Sequence, residues 1–329
     1  MSVLRTLAGT CVLAGAVSAC HAKPQMDDHT AHMSMADRAA PIISAGAPES
    51  QDRAKLPPSA NHAAARLEAS PRHAEWVKIA WEPGSKDSLM AWIVYPTTSR
   101  PKTPVVVVVH EIFGLSTWVR SVADQVATEG FIAIAPDLIS RVRGGPSTTE
   151  LSSDSARKII SGVDAAERNR GISAAASFAM SQPSADQKYA VIGYCWGGQT
   201  VWMHAINGGT TGFSGGVAYY GLPYTTGGRG EPAKPIADSL MKIKVPVMLL
   251  SGSKDARIGS TMPAVDSMMK ALGKNYWGKN YEGARHGFMR AQDDIQTPRD
   301  EAEEQANLAA TKDAWPRTVA FLKQNLGIK

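Results

Sequence analysis

The chain has 329 residues, 43% hydrophobic and 20% charged, with a formal net charge of +5. That length and balance suit one large globular domain or two small ones. Lys and Arg are dispersed, with no run of five or six, which argues against a nucleic-acid-binding surface.

Taken in chain order, residues 1–20 (MSVLRTLAGTCVLAGAVSAC) come first. They carry Arg5, an apolar run from Leu7 to Val17, then small residues. That is a secretory signal, too short and too weakly apolar for a membrane span. Two processing readings compete. Val17-Ser18-Ala19-Cys20 resembles a lipobox, which would make Cys20 the lipidated first residue of the mature chain. A plain cut after Ala19 or Ala22 is the alternative. Either reading predicts an exported, periplasmic protein, and the first adds a lipid anchor that tethers without spanning.

Residues 21–72 are rich in Ala, Pro, Ser, His and Met and read as a flexible tether. Within it, His21, Met26, His29, His32, Met33 and Met35 offer ligands that suit copper. Their spacing matches no defined site, so a polar linker is the plainer reading.

From residue 73 to 329 the pattern is that of one folded domain. WVKIAW and LMAWIVYP read as two strands, an antiparallel start. PVVVVVH (104–110) is a continuous β-branched run, as expected for a strand buried on both faces. Residues 116–129 read as a helix ended by Gly130, and FIAIAPD as the next buried strand. A helix follows over 170–181, then the strand KYAVIGY (188–194), then a helix over 200–206. GGVAYYG and VPVMLLSG are further strands. A helix over 262–272, the strand WGKNYEG and a long helix over 301–326 close the chain. Strands alternating with helices predict an α/β fold with a mainly parallel sheet covered on both faces.

The chemistry centres on GYCWGG, 193–198. A strand, then Gly-x-nucleophile-x-Gly, then a helix is the pattern of a nucleophile elbow, with Cys195 in the reacting position. The helix N-terminus favours a thiolate there. The pentapeptide alone also suits a buried structural cysteine. The cysteine count adds weight to the first reading: Cys11 and Cys20 belong to the export segment, so Cys195 is the domain's lone thiol. Partners follow in the order this fold uses: Asp255 just past the strand VPVMLLSG, then His286 after the next strand. Cys195 would attack, His286 would exchange protons, and Asp255 would orient the imidazole.

The domain resembles the dienelactone hydrolase family of the α/β-hydrolase superfamily. GYCWGG, HEIFG (110–114), APDL (135–138), GSKD with Asp255, and HGF with His286 carry the resemblance. It implies that Glu111 neighbours the thiol and takes its proton when substrate binds, which would keep a lone thiol quiet until then. His110 beside it is expected to be structural. The resemblance also implies an oxyanion hole at the backbone N–H groups of Ile112 and Trp196. Arg141 and Arg290 stand where family members grip a substrate carboxylate. The implied activity is hydrolysis of an ester or lactone, with a small-molecule substrate, no metal or organic cofactor, and nothing demanding more than a monomer. The segments 142–164 and 222–242 would lie near the site mouth. Two rivals remain at this point: a general esterase for neutral substrates, and a non-catalytic envelope protein binding a ligand or copper.

Overall fold

The computed structural model describes residues 51–328 apart from 83, 99–100, 148–150 and 227–232. The export segment, Cys20 and the His/Met cluster of the tether lie outside the described residues.

Eight strands form the main sheet: β1 (Ala74–Ala80), β2 (Ser88–Val94), β3 (Thr103–Val109), β4 (Ile132–Pro136), β5 (Ala185–Tyr194), β6 (Phe213–Tyr219), β9 (Val247–Gly252) and β10 (Tyr276–Tyr281). Their order is β1-β2-β4-β3-β5-β6-β9-β10. A small antiparallel ribbon pairs β7 (Thr225–Thr226) with β8 (Lys234–Pro235). β1 pairs β2 and β2 pairs β4 antiparallel, and the remaining neighbours run parallel. The expected antiparallel start and parallel body are both present.

The strand sequences match their places. β3, β4 and β9 are buried along their whole length, which is why they read as unbroken apolar runs. Val105 to Val109 are all fully buried. Each such side chain contributes roughly 1.5–3 kcal/mol. The edge strands β1 and β10 mix buried and open positions.

The helices are α1 (Ala63–Glu68), α2 (Thr117–Thr128), α3 (Ser140–Arg143), α4 (Ser153–Ile160), α5 (Ala165–Met180), α6 (Trp196–Ile206), α7 (Ala237–Leu240), α8 (Ala256–Ala271), α9 (Phe288–Ala291) and α10 (Glu301–Leu326). Three of them start earlier than the apolar period suggests, each for a local reason. Asp164 accepts from Glu167 N at 2.7 Å and so begins α5 five residues before Arg170. Asp255 caps α8 by accepting from Ile258 N at 3.2 Å, and Pro263 sits inside that helix without ending it. α6 begins at Trp196, directly after the elbow, so its glycine pair is helical.

The expected tether needs a correction. It was expected to reach residue 72, yet from Gln51 onward the chain is folded against the domain. A 3-10 turn (Gln51–Lys55) and α1 lie there, with Leu56 and Ser59 buried. Arg72 holds Asp124 of α2 through Nε at 2.8 Å and Nη2 at 2.6 Å. Low hydrophobic content hid this segment, because it docks mainly through backbone groups and ion pairs rather than an apolar stripe.

Candidate active site

β5 runs straight into Cys195, which sits at φ 55, ψ −114 between strand and helix. A residue with a Cβ pays for that left-handed φ, and such strain concentrates at working sites. The surrounding glycines make the turn possible. A Cβ on Gly193 would fall closer than 3.0 Å to the Gly197 carbonyl, and one on Gly197 would do the same at the Val109 and His110 carbonyls. Gly198 packs as tightly against the Tyr219 carbonyl. The elbow is therefore wedged between the ends of β3 and β6. The Cys195 N–H donates to Tyr219 O at 3.0 Å, and the residue is only 4% exposed.

The end of β9 supplies the acid and the loop after β10 the histidine. Asp255 follows β9, and its Oδ2 lies 2.5 Å from His286 Nδ1. Gly252 lets the histidine loop cross the end of β9, because a Cβ there would strike the Ala284 backbone. Lys254 N donates to Ala284 O at 2.9 Å, and Arg285 N donates to Asn307 Oδ1 at 3.0 Å, fixing the loop on both sides. Burial pulls the His286 pKa down, but the Cys195 sulfur and the Asp255 carboxylate outweigh it and hold the imidazole well above its ordinary value. Nε2 is buried, and the Cys195 sulfur acts on the imidazole both electrostatically and by hydrogen bonding. With Nδ1–H donating to Asp255, Nε2 is left as the atom that can take a proton.

Glu111 lies past β3 and is 5% exposed. Its Oε2 is 3.4 Å from Arg290 Nε. Glu111, Cys195 and Arg290 all act on the buried Tyr220 hydroxyl, which places them around one point. Burial first, then Glu111, keep that phenol protonated well beyond the usual tyrosine range. His110 takes the structural part expected for it. Its Nδ1 meets Glu111 O at 2.6 Å, and its Nε2 accepts from Leu138 N at 3.0 Å. Burial lowers its pKa, with Asp137 opposing, so a neutral ring fits both bonds.

Ile112 and Trp196 occupy comparable places. Val109 of β3 pairs with Gly193 of β5, and each of the two residues lies three positions beyond that pair. Trp196 opens α6, so its N–H belongs to the first turn, where helix donors lack intrahelical acceptors.

Arg141 is not part of this group. Its guanidinium pairs with Asp87 and with Glu167 Oε1 at 2.5 Å, and its Cζ lies 3.9 Å from the Trp81 ring centroid. Its partners come from the β1–β2 hairpin and α5, whereas Arg290 is paired with Glu111 beside Cys195.

Two tyrosines that the sequence reading passed over line the site. Tyr220 has φ 38, is buried, and packs its ring at a tilt with the centroid 4.9 Å from that of His286. Tyr194 precedes Cys195 and takes Trp118 edge-on at 4.9 Å. Both hydroxyls are buried without a partner among the described residues. An aromatic residue before glycine at a strand's carboxyl end, as in YYG, is the signal that would have marked Tyr220. Arg168 was also missed. It is buried behind the elbow, with Cζ 4.8 Å from the Trp196 ring, and burial, offset by Tyr224 and Asp164, lowers its pKa to about 10.

Residues 89–326 match the model of the dienelactone hydrolase family. The chain belongs to the dienelactone hydrolase family. A proposed carboxymethylenebutenolidase of Methylorubrum extorquens is 30% identical over 214 residues, covering 64% of this chain and 71% of that one. A proposed 2-oxo-3-(5-oxofuran-2-ylidene)propanoate lactonase of Bradyrhizobium sp is 28% identical over 262 residues, 77% of this chain and 94% of that one. Among solved structures, a proposed dienelactone hydrolase of Klebsiella pneumoniae aligns with TM-score 0.59 and 26% identity, covering 77% of this chain and 99% of that one. This dienelactone hydrolase family member is thus an α/β-hydrolase and a hydrolytic enzyme.

Proposed function

We propose that the enzyme hydrolyses a carboxylic ester or lactone that bears a carboxylate, through Cys195, His286 and Asp255 and a thioester intermediate. The observation that carries this reading is the strained, buried Cys195 beside a histidine held by Asp255 at 2.5 Å. The substrate carboxylate binds Arg290 and competes with Glu111 for it. Glu111, losing its cation, takes the proton of the thiol. The thiolate attacks the carbonyl, and the Ile112 and Trp196 N–H groups hold the oxyanion. As the tetrahedral species collapses, the carbon–oxygen bond breaks and the protonated imidazole gives its proton to the leaving alkoxide. Neutral His286 then removes a proton from water, hydroxide adds to the thioester, the carbon–sulfur bond breaks to release the acid, and protonated Glu111 returns its proton to the thiolate. The lactone named for the Bradyrhizobium relative carries a propanoate, which supports an anionic substrate.

A panel of short esters and lactones on wild type and Cys195→Ala tests this. Full activity in the variant, or none in the wild type, overturns the mechanism.

Neutral esters are the second reading. It is favoured by the countered charge of both arginines, Arg290 by Glu111 and Arg141 by Asp87 and Glu167. The ratio of kcat/KM for matched anionic and neutral esters separates the two. We also propose export by residues 1–20 with lipidation at Cys20. Mass analysis of the mature N-terminus decides it, and an unmodified chain starting at Met1 rules it out.

A further inference from the structure

The loop after the triad histidine carries Arg290 in a single helical turn, α9, which lies between α10 and the N-terminal segment. On the α10 side, Thr311 Oγ1 donates to Phe288 O at 3.4 Å. On the other side, residues 56–59 are buried beneath the surface of the domain. Ala60 N donates to Arg290 O at 2.9 Å. Gln292 Nε2 donates to Pro57 O at 2.7 Å, and Asn61 N donates to Asp294 Oδ2 at 3.2 Å. Asp294 also accepts from Ser59, and Arg53 pairs with Asp293. Trp118 Nε1 donates to Pro58 O at 2.9 Å, and that indole packs edge-on against Tyr194, the residue before the nucleophile.

The loop has reason to need this support. One turn of helix has no stability of its own in water. It ends at Gln292, which is held at φ 45, ψ −125 while fully buried. A residue with a side chain persists in such a conformation only when its surroundings over-determine it. The Arg290 to Glu111 approach is 3.4 Å, so a small shift of the turn would move the guanidinium out of range. The supporting segment lies before residue 89, outside the stretch that matches the family model.

We propose that residues 56–62, together with Gln292 and Asp294, form a positioning brace that holds Arg290 where the substrate carboxylate binds. Part of the enzyme's substrate preference is then set by an N-terminal segment lying outside the matched domain. This rests on the reading that Arg290 receives a carboxylate.

The test uses the full chain and two esters that differ only in bearing or lacking a carboxylate. Asp294→Ala removes the acceptor for Asn61 and Ser59. Gln292→Gly removes the amide clamp while still tolerating the turn, so one variant stands if the other folds poorly. Each is expected to raise KM for the anionic ester about two- to tenfold, the loss that follows from one or two hydrogen bonds. The kcat for the neutral ester should hold within about twofold of wild type on the same grounds. Asp294→Asn, which keeps one carbonyl oxygen, should restore most of the anionic KM. Arg290→Ala is the control. If it discriminates between the esters and the brace variants do not, the brace is wrong and the carboxylate reading survives. If Arg290→Ala affects both esters equally, the carboxylate reading falls and this inference with it.

Discussion

Asp255 and His286 meet at 2.5 Å through one carboxylate oxygen, while the other oxygen of Asp255 caps α8 at Ile258 N. The same side chain thus orients the imidazole and starts a sixteen-residue helix. Asp255→Asn should separate the two duties. The amide oxygen can keep the cap, but its NH2 faces Nδ1 and favours the wrong tautomer. The kcat should fall by about 10²- to 10⁴-fold, the scale of losing a triad orienter. Thermal stability should change little, whereas Asp255→Ala should also lose about 1 kcal/mol from the cap. Ester kinetics and unfolding of the two variants check this.

The raised pKa of His286 has a consequence for stability against pH. In the unfolded chain the imidazole loses its proton near its ordinary value of about 6.5. In the folded enzyme it holds the proton to higher pH, because Cys195 and Asp255 outweigh burial. Its contribution is therefore complete below about pH 6.5 and is lost as pH rises through the folded value. Unfolding temperatures measured upward from pH 6 should decline more steeply for wild type than for His286→Ala. Parallel curves would contradict the shift.

Gly197→Ala should damage the elbow. The new Cβ would meet two backbone carbonyls closer than 3.0 Å, and backbone cannot swing aside. A loss of roughly 1–3 kcal/mol, the range for an overpacked core, is expected in denaturant unfolding. Gly145→Ala is the comparison: nothing lies within 4 Å of its added Cβ, so it should leave stability nearly unchanged.

Arg141→Ala should lower activity toward anionic and neutral esters equally or not at all. Its partners are Asp87, Glu167 and Trp81, and the pairs are partly exposed, so a stability loss under about 1 kcal/mol is expected. A selective loss on the anionic ester would return Arg141 to the substrate.

The strand pattern was readable because β3, β4 and β9 are buried on both faces, and such strands show as plain apolar runs. The candidate triad was readable for a related reason: Cys195, Asp255 and His286 sit one, three and five residues past the ends of β5, β9 and β10, so a correct strand assignment locates them. The partners of Arg141 were not readable, because a motif gives position along the chain, while Asp87 and Glu167, which share its charge, come from distant segments. Tyr220 was hidden because its role depends on a backbone twist at φ 38. Residues 51–72 were read as linker because their docking depends on backbone carbonyls and N–H groups, which every residue type possesses.

The pairing of Val109 with Gly193 reaches beyond the ladder itself. If the two oxyanion donors are the main-chain N–H groups three positions past that pair, their spacing is inherited from strand alignment. The buried side chains at 112 and 196 then answer to core packing alone, and the anion-stabilising geometry does not depend on their chemistry. What selection must preserve is the alignment of two neighbouring strands, a property spread over a dozen residues and hard for any single mutation to erase.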